Sequence, residues 1–229
     1  MKRSLYLFVS VLIILIIGGC GFMEKDVADM DPKDLPDVTA FQDDFTREFM
    51  ASKEPVEEGY YEFESKTGGY TMKFPENARL SKRFYERNKR TFERLRYAEN
   101  ENELSSSYAV ISTYNHFQKA RETERLLYLL SSSVNYEGDY EKLEHLDNTI
   151  YFATLEETVK VEDKKATWYN FFGLIKSKKS NQSLRYIISI KCDKPNENCS
   201  YDLDAIEHKV KSLMKSVEFN DVEIEKGES

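Results

Sequence analysis

Residues 5–17 of this chain are an apolar region without a charged residue, and they constrain the rest more than any other stretch. Lys2 and Arg3 precede the run, and Gly18, Gly19 and Cys20 follow it. A short positive region, an apolar core and small residues, in that order, form the secretory signal pattern. At about 1.5 Å of rise per residue the run covers roughly 20 Å, short of a bilayer core about 30 Å thick. The body that follows is therefore expected to fold outside the cytoplasm.

Ile17-Gly18-Gly19-Cys20 places a branched apolar residue and two small residues before a cysteine, and so resembles the lipobox of bacterial lipoproteins. The resemblance implies diacylglyceryl transfer to Cys20 Sγ and cleavage before it, with residues 1–19 removed as a lipoprotein signal peptide. Two other readings fit the bare pattern: an ordinary cleaved signal with a chance cysteine, or an uncleaved anchor. Each buried CH₂ contributes about 0.8 kcal/mol, so two acyl chains would hold the protein stably on a membrane it does not span.

Without residues 1–19 the net charge of −8 becomes −10, because Lys2 and Arg3 leave with the leader. The remaining length suits one domain plus a tether. An acidic balance argues against a general binder of nucleic acid or anionic membrane, and export itself makes nucleic acid an improbable partner. Two further cysteines remain, Cys192 and Cys199, separated by Pro195, Asn196 and Asn198, residues suited to a loop that doubles back. In an oxidising compartment they suit a structural disulfide worth roughly 2.5 kcal/mol on the chain-entropy model, with free thiols as the alternative.

Residues 20–58 read as the lipidated cysteine and a disordered acidic tether. Residues 21–58 hold twelve carboxylates against Lys25, Lys33, Arg47 and Lys53, with Pro32, Pro36 and Pro55. Within it Thr39 and Gln42 match a capping box and Phe41, Phe45 and Phe49 recur at i, i+4, i+8, so a short helix over 40–51 is expected to dock on the body or on a partner. Residues 59–219 read as an α+β domain, an antiparallel sheet covered by two main helices. A hairpin brackets Lys66-Thr-Gly-Gly69, strand runs cover 108–117, 140–146, 149–159, 166–176 and 184–192, and helices cover 118–134 and 202–217. Residues 79–97 fit a helix after Ser81 or a hairpin around Arg87-Asn88-Lys89, with strands preferred. Residues 220–229 read as an acidic tail.

Gly69-Tyr-Thr-Met-Lys-Phe-Pro75, a helix after the 108–117 strand and a last helix running into Ser216-Val-Glu-Phe219 make residues 59–219 similar to PsbP-like domains. The tryptophan often found after the early proline of those domains is absent. The resemblance implies a sheet between helices and a non-catalytic binding role, and it carries no site residues over. The chain as a whole resembles lipoproteins of Gram-positive bacteria of the Bacillus type.

Catalytic signatures are sparse. His116, His145 and His208 are far apart and none stands in H-E-x-x-H, and G-x-S-x-G, the P-loop and G-x-G-x-x-G are missing. No metal or cofactor set stands out. The local anomaly is 79–96, where eight basic residues meet only Glu86 and Glu93, a +6 segment in an acidic protein. Arg83, Arg87, Lys89, Arg90 and Arg94 form a candidate patch for an anionic partner such as an anionic wall polymer, lipid head groups or an acidic envelope protein. The plainer reading is a basic face that pairs with the chain's own acidic segment. These features favour a membrane-anchored extracytoplasmic binding module without catalysis. The alternatives are an envelope-assembly or surface-matrix factor and a wall-glycan hydrolase.

Overall fold

The computed structural model describes residues 26–101, 106–116, 123–161, 164–192 and 202–222. Among these described residues eleven strands form two antiparallel sheets. The large one runs β3 (Ala78–Leu80), β5 (Phe92–Glu101), β6 (Ser106–His116), β10 (Gln182–Cys192), β9 (Lys164–Ser177), β8 (Asn148–Val161) and β7 (Glu141–His145), and β4 (Glu86–Asn88) also pairs with β5. The small sheet has the order β1 (Tyr60–Glu64), β2 (Tyr70–Pro75), β11 (Glu218–Phe219).

Pleating assigns alternate residues to opposite faces, and the sequence of β9 shows why it sits inside the sheet. Phe171 and Ile175 enter the core on one face while Phe172 and Leu174 enter a separate cluster on the other, so the strand is apolar on both sides. The first face is the principal one. The small sheet covers it with Phe63, Tyr70 and Phe74, and helix α4 (Leu203–Lys215) covers it with Val210, Leu213 and Met214. Gly173 leaves room at that contact, since a Cβ there would lie 2.5 Å from Tyr151 O and 3.2 Å from Met214 Sδ. Asp202 caps α4, its Oδ1 accepting from Ala205 N at 3.0 Å. On the second face, helix α3 (Thr123–Val134) places Leu126 and Leu130 against Ala153, Phe172 and Leu174. The α+β class with two main helices is therefore observed.

The acidic stretch before residue 59 corrects the expectation of a disordered tether. From residue 26 it is folded onto the principal core, contributing Val27, Leu35, Ala40, Phe41, Phe49 and Met50. Its carboxylates are concentrated at surface positions, while the phenylalanine stripe supplies the apolar side chains that attach it. Phe41 meets Tyr61 edge-on at 4.7 Å, and Phe49 stacks on Phe63 at 5.4 Å. The helix expected over 40–51 is split into α1 (Thr39–Gln42) and α2 (Asp44–Arg47). The capping box does not form, because Val38 occupies the cap of α1. Asp43 breaks the helix instead and caps α2, its Oδ1 accepting from Thr46 N at 2.9 Å and from Thr46 Oγ1 at 2.6 Å.

Residues 79–97 form strands interrupted by a single 3-10 turn at Lys82–Phe84, and not the α-helix that the spacing allowed. The β4–β5 hairpin turns at Lys89, which takes φ +46. The acidic tail expected from residue 220 starts on an anchored residue: Asn220 N donates to Gly69 O at 3.0 Å and its side-chain amide to Gly68 O at 3.1 Å. Of the cysteines, Cys192 ends β10 opposite Thr167, whereas Cys20 and Cys199 lie outside the described residues. Among the described residues no helix is long and apolar enough to cross a membrane.

Candidate functional site

One row of paired residues locates the site. Asn88, Phe92, Asn115, Ser183, Lys176, Thr149 and Glu144 lie side by side across the large sheet, and the turns at 89–91, 178–181 and 146–147 follow directly. All these turns therefore sit at one end of the molecule. The β1–β2 turn joins them, because Arg87 Nη1 donates to Lys66 O at 2.7 Å.

At this end an open cleft of about 1140 Å³ lies between the β1–β2 turn, the β4–β5 hairpin, the segment 48–53, residues 26–30 and Asp221. Lys53, Lys66, Arg87, Lys89 and Arg90 line it, together with the carboxylates Asp26, Glu48, Glu64 and Asp221. The candidate patch is thereby divided. Arg87, Lys89 and Arg90 face the cleft. Arg83 and Arg94 do not line it: Arg83 and Arg96 lie 5.8 and 4.8 Å from the centre of the exposed Phe84 ring, and Arg94 is exposed opposite Glu86. Self-pairing with the acidic segment is seen at Arg79, whose Nε lies 2.8 Å from Asp43 Oδ2.

Beneath the cleft Glu93 is fully buried. Its carboxylate accepts from Ser65 Oγ at 2.6 Å, Lys66 N at 3.0 Å, Tyr85 OH at 3.1 Å and Tyr70 OH at 3.2 Å. Burial pushes its pKa above the ordinary carboxylate value, and the four donors reduce that rise without cancelling it. The same burial, with Glu93 beside them, raises the phenols of Tyr70 and Tyr85. Ser65 is itself only 3% exposed and also bonds Thr67 Oγ1 at 2.6 Å. The network fixes the β1–β2 turn against β5 and keeps the Glu93 carboxylate out of the cleft.

Sequence reasoning missed Lys53 and Lys66, which come from other segments, and took Glu93 only as a counter-charge within the basic run. It also separated two histidines that the fold brings to one smaller cleft of about 580 Å³, where His145 and His208 join Lys73, Lys211 and Lys215. The third, His116, ends β6, and burial followed by the charge of Lys176 lowers its pKa. Among the described residues no group of three or more His, Cys, Asp or Glu is placed to hold a metal ion.

Comparison with known proteins places this architecture in a family. A protein of Bacillus subtilis (strain 168) named "Putative lipoprotein YvcA" is 32% identical over 237 residues, spanning 96% of this chain and 97% of that protein. No solved structure matches, and neither of the family findings names a PsbP-like domain. The family model described as "Putative lipoprotein YvcA" matches residues 36–218, from within the folded acidic segment to the first residue of β11. The chain therefore belongs to the YvcA lipoprotein family.

Proposed function

We propose that the protein is lipidated on Cys20, held on the extracytoplasmic face of the cell membrane, and acts there as a non-catalytic binding module for an anionic partner of the envelope. The observation that carries this reading is the convergence of Lys53, Lys66, Arg87, Lys89 and Arg90 from separate segments onto one open cleft. Multiple cations around a concave surface attract anionic groups, and field focusing in a cleft strengthens that attraction. Membership of a lipoprotein family supports the anchor, and the Cys192–Cys199 disulfide belongs to the same proposal for an exported chain.

Two measurements test it. Cys20→Ser should abolish labelling by a fatty-acid analogue and release the protein from the membrane fraction; retention with unchanged labelling would refute the anchor. Cross-linking in living cells should give a discrete adduct that weakens in a Lys89→Asn/Arg90→Ser variant. An adduct indifferent to those changes would remove the cleft from the binding role.

A further inference from the structure

The chain leaves the folded body beside the basic cleft. Asp26 and Val27 are among the residues that line it, and only six positions separate Asp26 from Cys20. At 3.3–3.6 Å per residue that link reaches at most about 20 Å. We propose that the occupant of the cleft end is the anionic phospholipid surface of the leaflet that holds the Cys20 lipid. In this arrangement the β4–β5 turn and the β1–β2 turn rest on the head groups. The inference depends on the anchored, anion-binding reading above and names its partner.

Charge distribution gives the same orientation. The chain from residue 20 carries −10, so an anionic leaflet repels the body as a whole. The +6 segment 79–96 is the local exception. Its hairpin is accessible for contact, since β4 is exposed at all three positions. Lys66 and Lys53 extend the positive character across the cleft mouth. The other turns at this end add little net charge, because Lys178 pairs with Glu144 at 2.8 Å and Lys179 with Asp147 at 2.6 Å. Asp26, Glu48, Glu64 and Asp221 also line the cleft and weaken the attraction, so docking from free solution would be slight. The short link changes this: with at most about 20 Å of reach it lets the basic turns come within one Debye length of the surface, about 10 Å, where each Lys or Arg is attracted. The lipid thus supplies attachment and the basic turns supply orientation. Trp168, on the last rows of the sheet at the opposite end, would then face away from the membrane.

The test uses full-length lipidated protein reconstituted in vesicles of phosphatidylcholine alone or mixed with phosphatidylglycerol, with hydrogen exchange read by peptide. Exchange in 65–69 and 87–91 should slow several-fold only with phosphatidylglycerol, and high salt should restore it. Lys89→Asn/Arg90→Ser should abolish the slowing while leaving α4 protected as in the parent, which shows the fold intact. Lys179→Ser/Asp147→Asn, which removes a whole ion pair at the same end and keeps its net charge, should leave it unchanged. Equal exchange in the two vesicles, with slowing of the same peptides by soluble poly(glycerol phosphate), would overturn the lipid surface and keep the binding role. No slowing by either anion would overturn both.

Discussion

Ser65 Oγ and Glu93 Oε2 lie 2.6 Å apart although 28 positions separate them, and this bond joins the small sheet's turn to the large sheet under the cleft. Glu93 is a carboxyl that the fold accommodates at a cost, since its pKa is raised from the ordinary 4.5 chiefly by burial. The sign follows from linkage. A folded-state pKa above the unfolded one means that the group's contribution is fully present below about pH 4.5 and is lost as pH rises through the folded value. Glu93→Gln keeps an acceptor and a neutral charge, so its stability relative to the parent should improve from pH 4 to pH 7.5. Glu93→Ala strands the donors of Ser65, Lys66, Tyr70 and Tyr85 and should cost on the order of 3 kcal/mol. Urea unfolding at the two pH values checks both, and parallel curves for parent and Glu93→Gln would show that Glu93 does not titrate in that interval.

The acidic segment is attached by a second polar pair. Thr46 is fully buried, its Oγ1 accepting from Leu80 N at 3.0 Å and donating to Asp43 Oδ1 at 2.6 Å. Thr46→Val leaves the Leu80 amide without this acceptor and should destabilise by about 1–3 kcal/mol. Limited proteolysis should then cut within 26–58 before it cuts the large sheet. Uniform resistance of that segment would mean that the phenylalanine contacts suffice alone.

Asp43 adds a pH dependence of opposite sign to that of Glu93. Burial alone would raise its pKa, but the bonds from Thr46 and the charge and hydrogen bond of Arg79 bring it below the ordinary 3.8. A depressed pKa contributes stability that is present above about pH 4 and is lost as pH falls through the folded value. The parent should therefore lose its advantage over Asp43→Asn on acidification, and thermal unfolding at pH 3 and pH 6 reads the difference. A gap that stays constant across that range would exclude Asp43 as the titrating group.

Which parts of this were legible in the sequence follows from where the physical signal is local. The runs that became β8, β9 and β10 are apolar or β-branched along their own length, and the apolar spacing of α4 is carried by Leu203, Ile206, Val210, Leu213 and Met214. The acidic segment was misjudged because charge composition averages over both faces. The three phenylalanines at i, i+4, i+8 were the indication that one side of it is buried. Of the second sheet only the β1–β2 hairpin was legible; its third strand was not, since β2 and β11 are far apart in the chain and pair at only two positions, Glu218 with Thr71 and Phe219 with Tyr70. The cleft was half legible. The basic run was evident, but its division between the cleft and the neighbouring surface and the arrival of Lys53 and Lys66 depend on strand register and on a turn contact, neither of which is local.

The junction that sets the far wall of the cleft rests on Gln182, which is 2% exposed. Its side-chain amide donates to Asn220 O at 2.9 Å, Gly69 O at 3.0 Å and Tyr114 OH at 3.1 Å, joining β10 to the β1–β2 turn and to the residues after β11. Gln182→Leu removes all three bonds and should cost about 2 kcal/mol, mainly through acceptors left dry. Gly69→Ala attacks the same junction by volume, because a Cβ there would overlap the Tyr114 ring end, and should cost about 1–3 kcal/mol. Both changes loosen one contact set, so the double variant should fall short of the sum by at least about 0.5 kcal/mol. Hydrogen exchange should accelerate in 65–69 and not in α3, which packs on the opposite face of the large sheet. Strict additivity, or equal acceleration in α3, would show that the two residues act on global stability and not on the wall of the cleft.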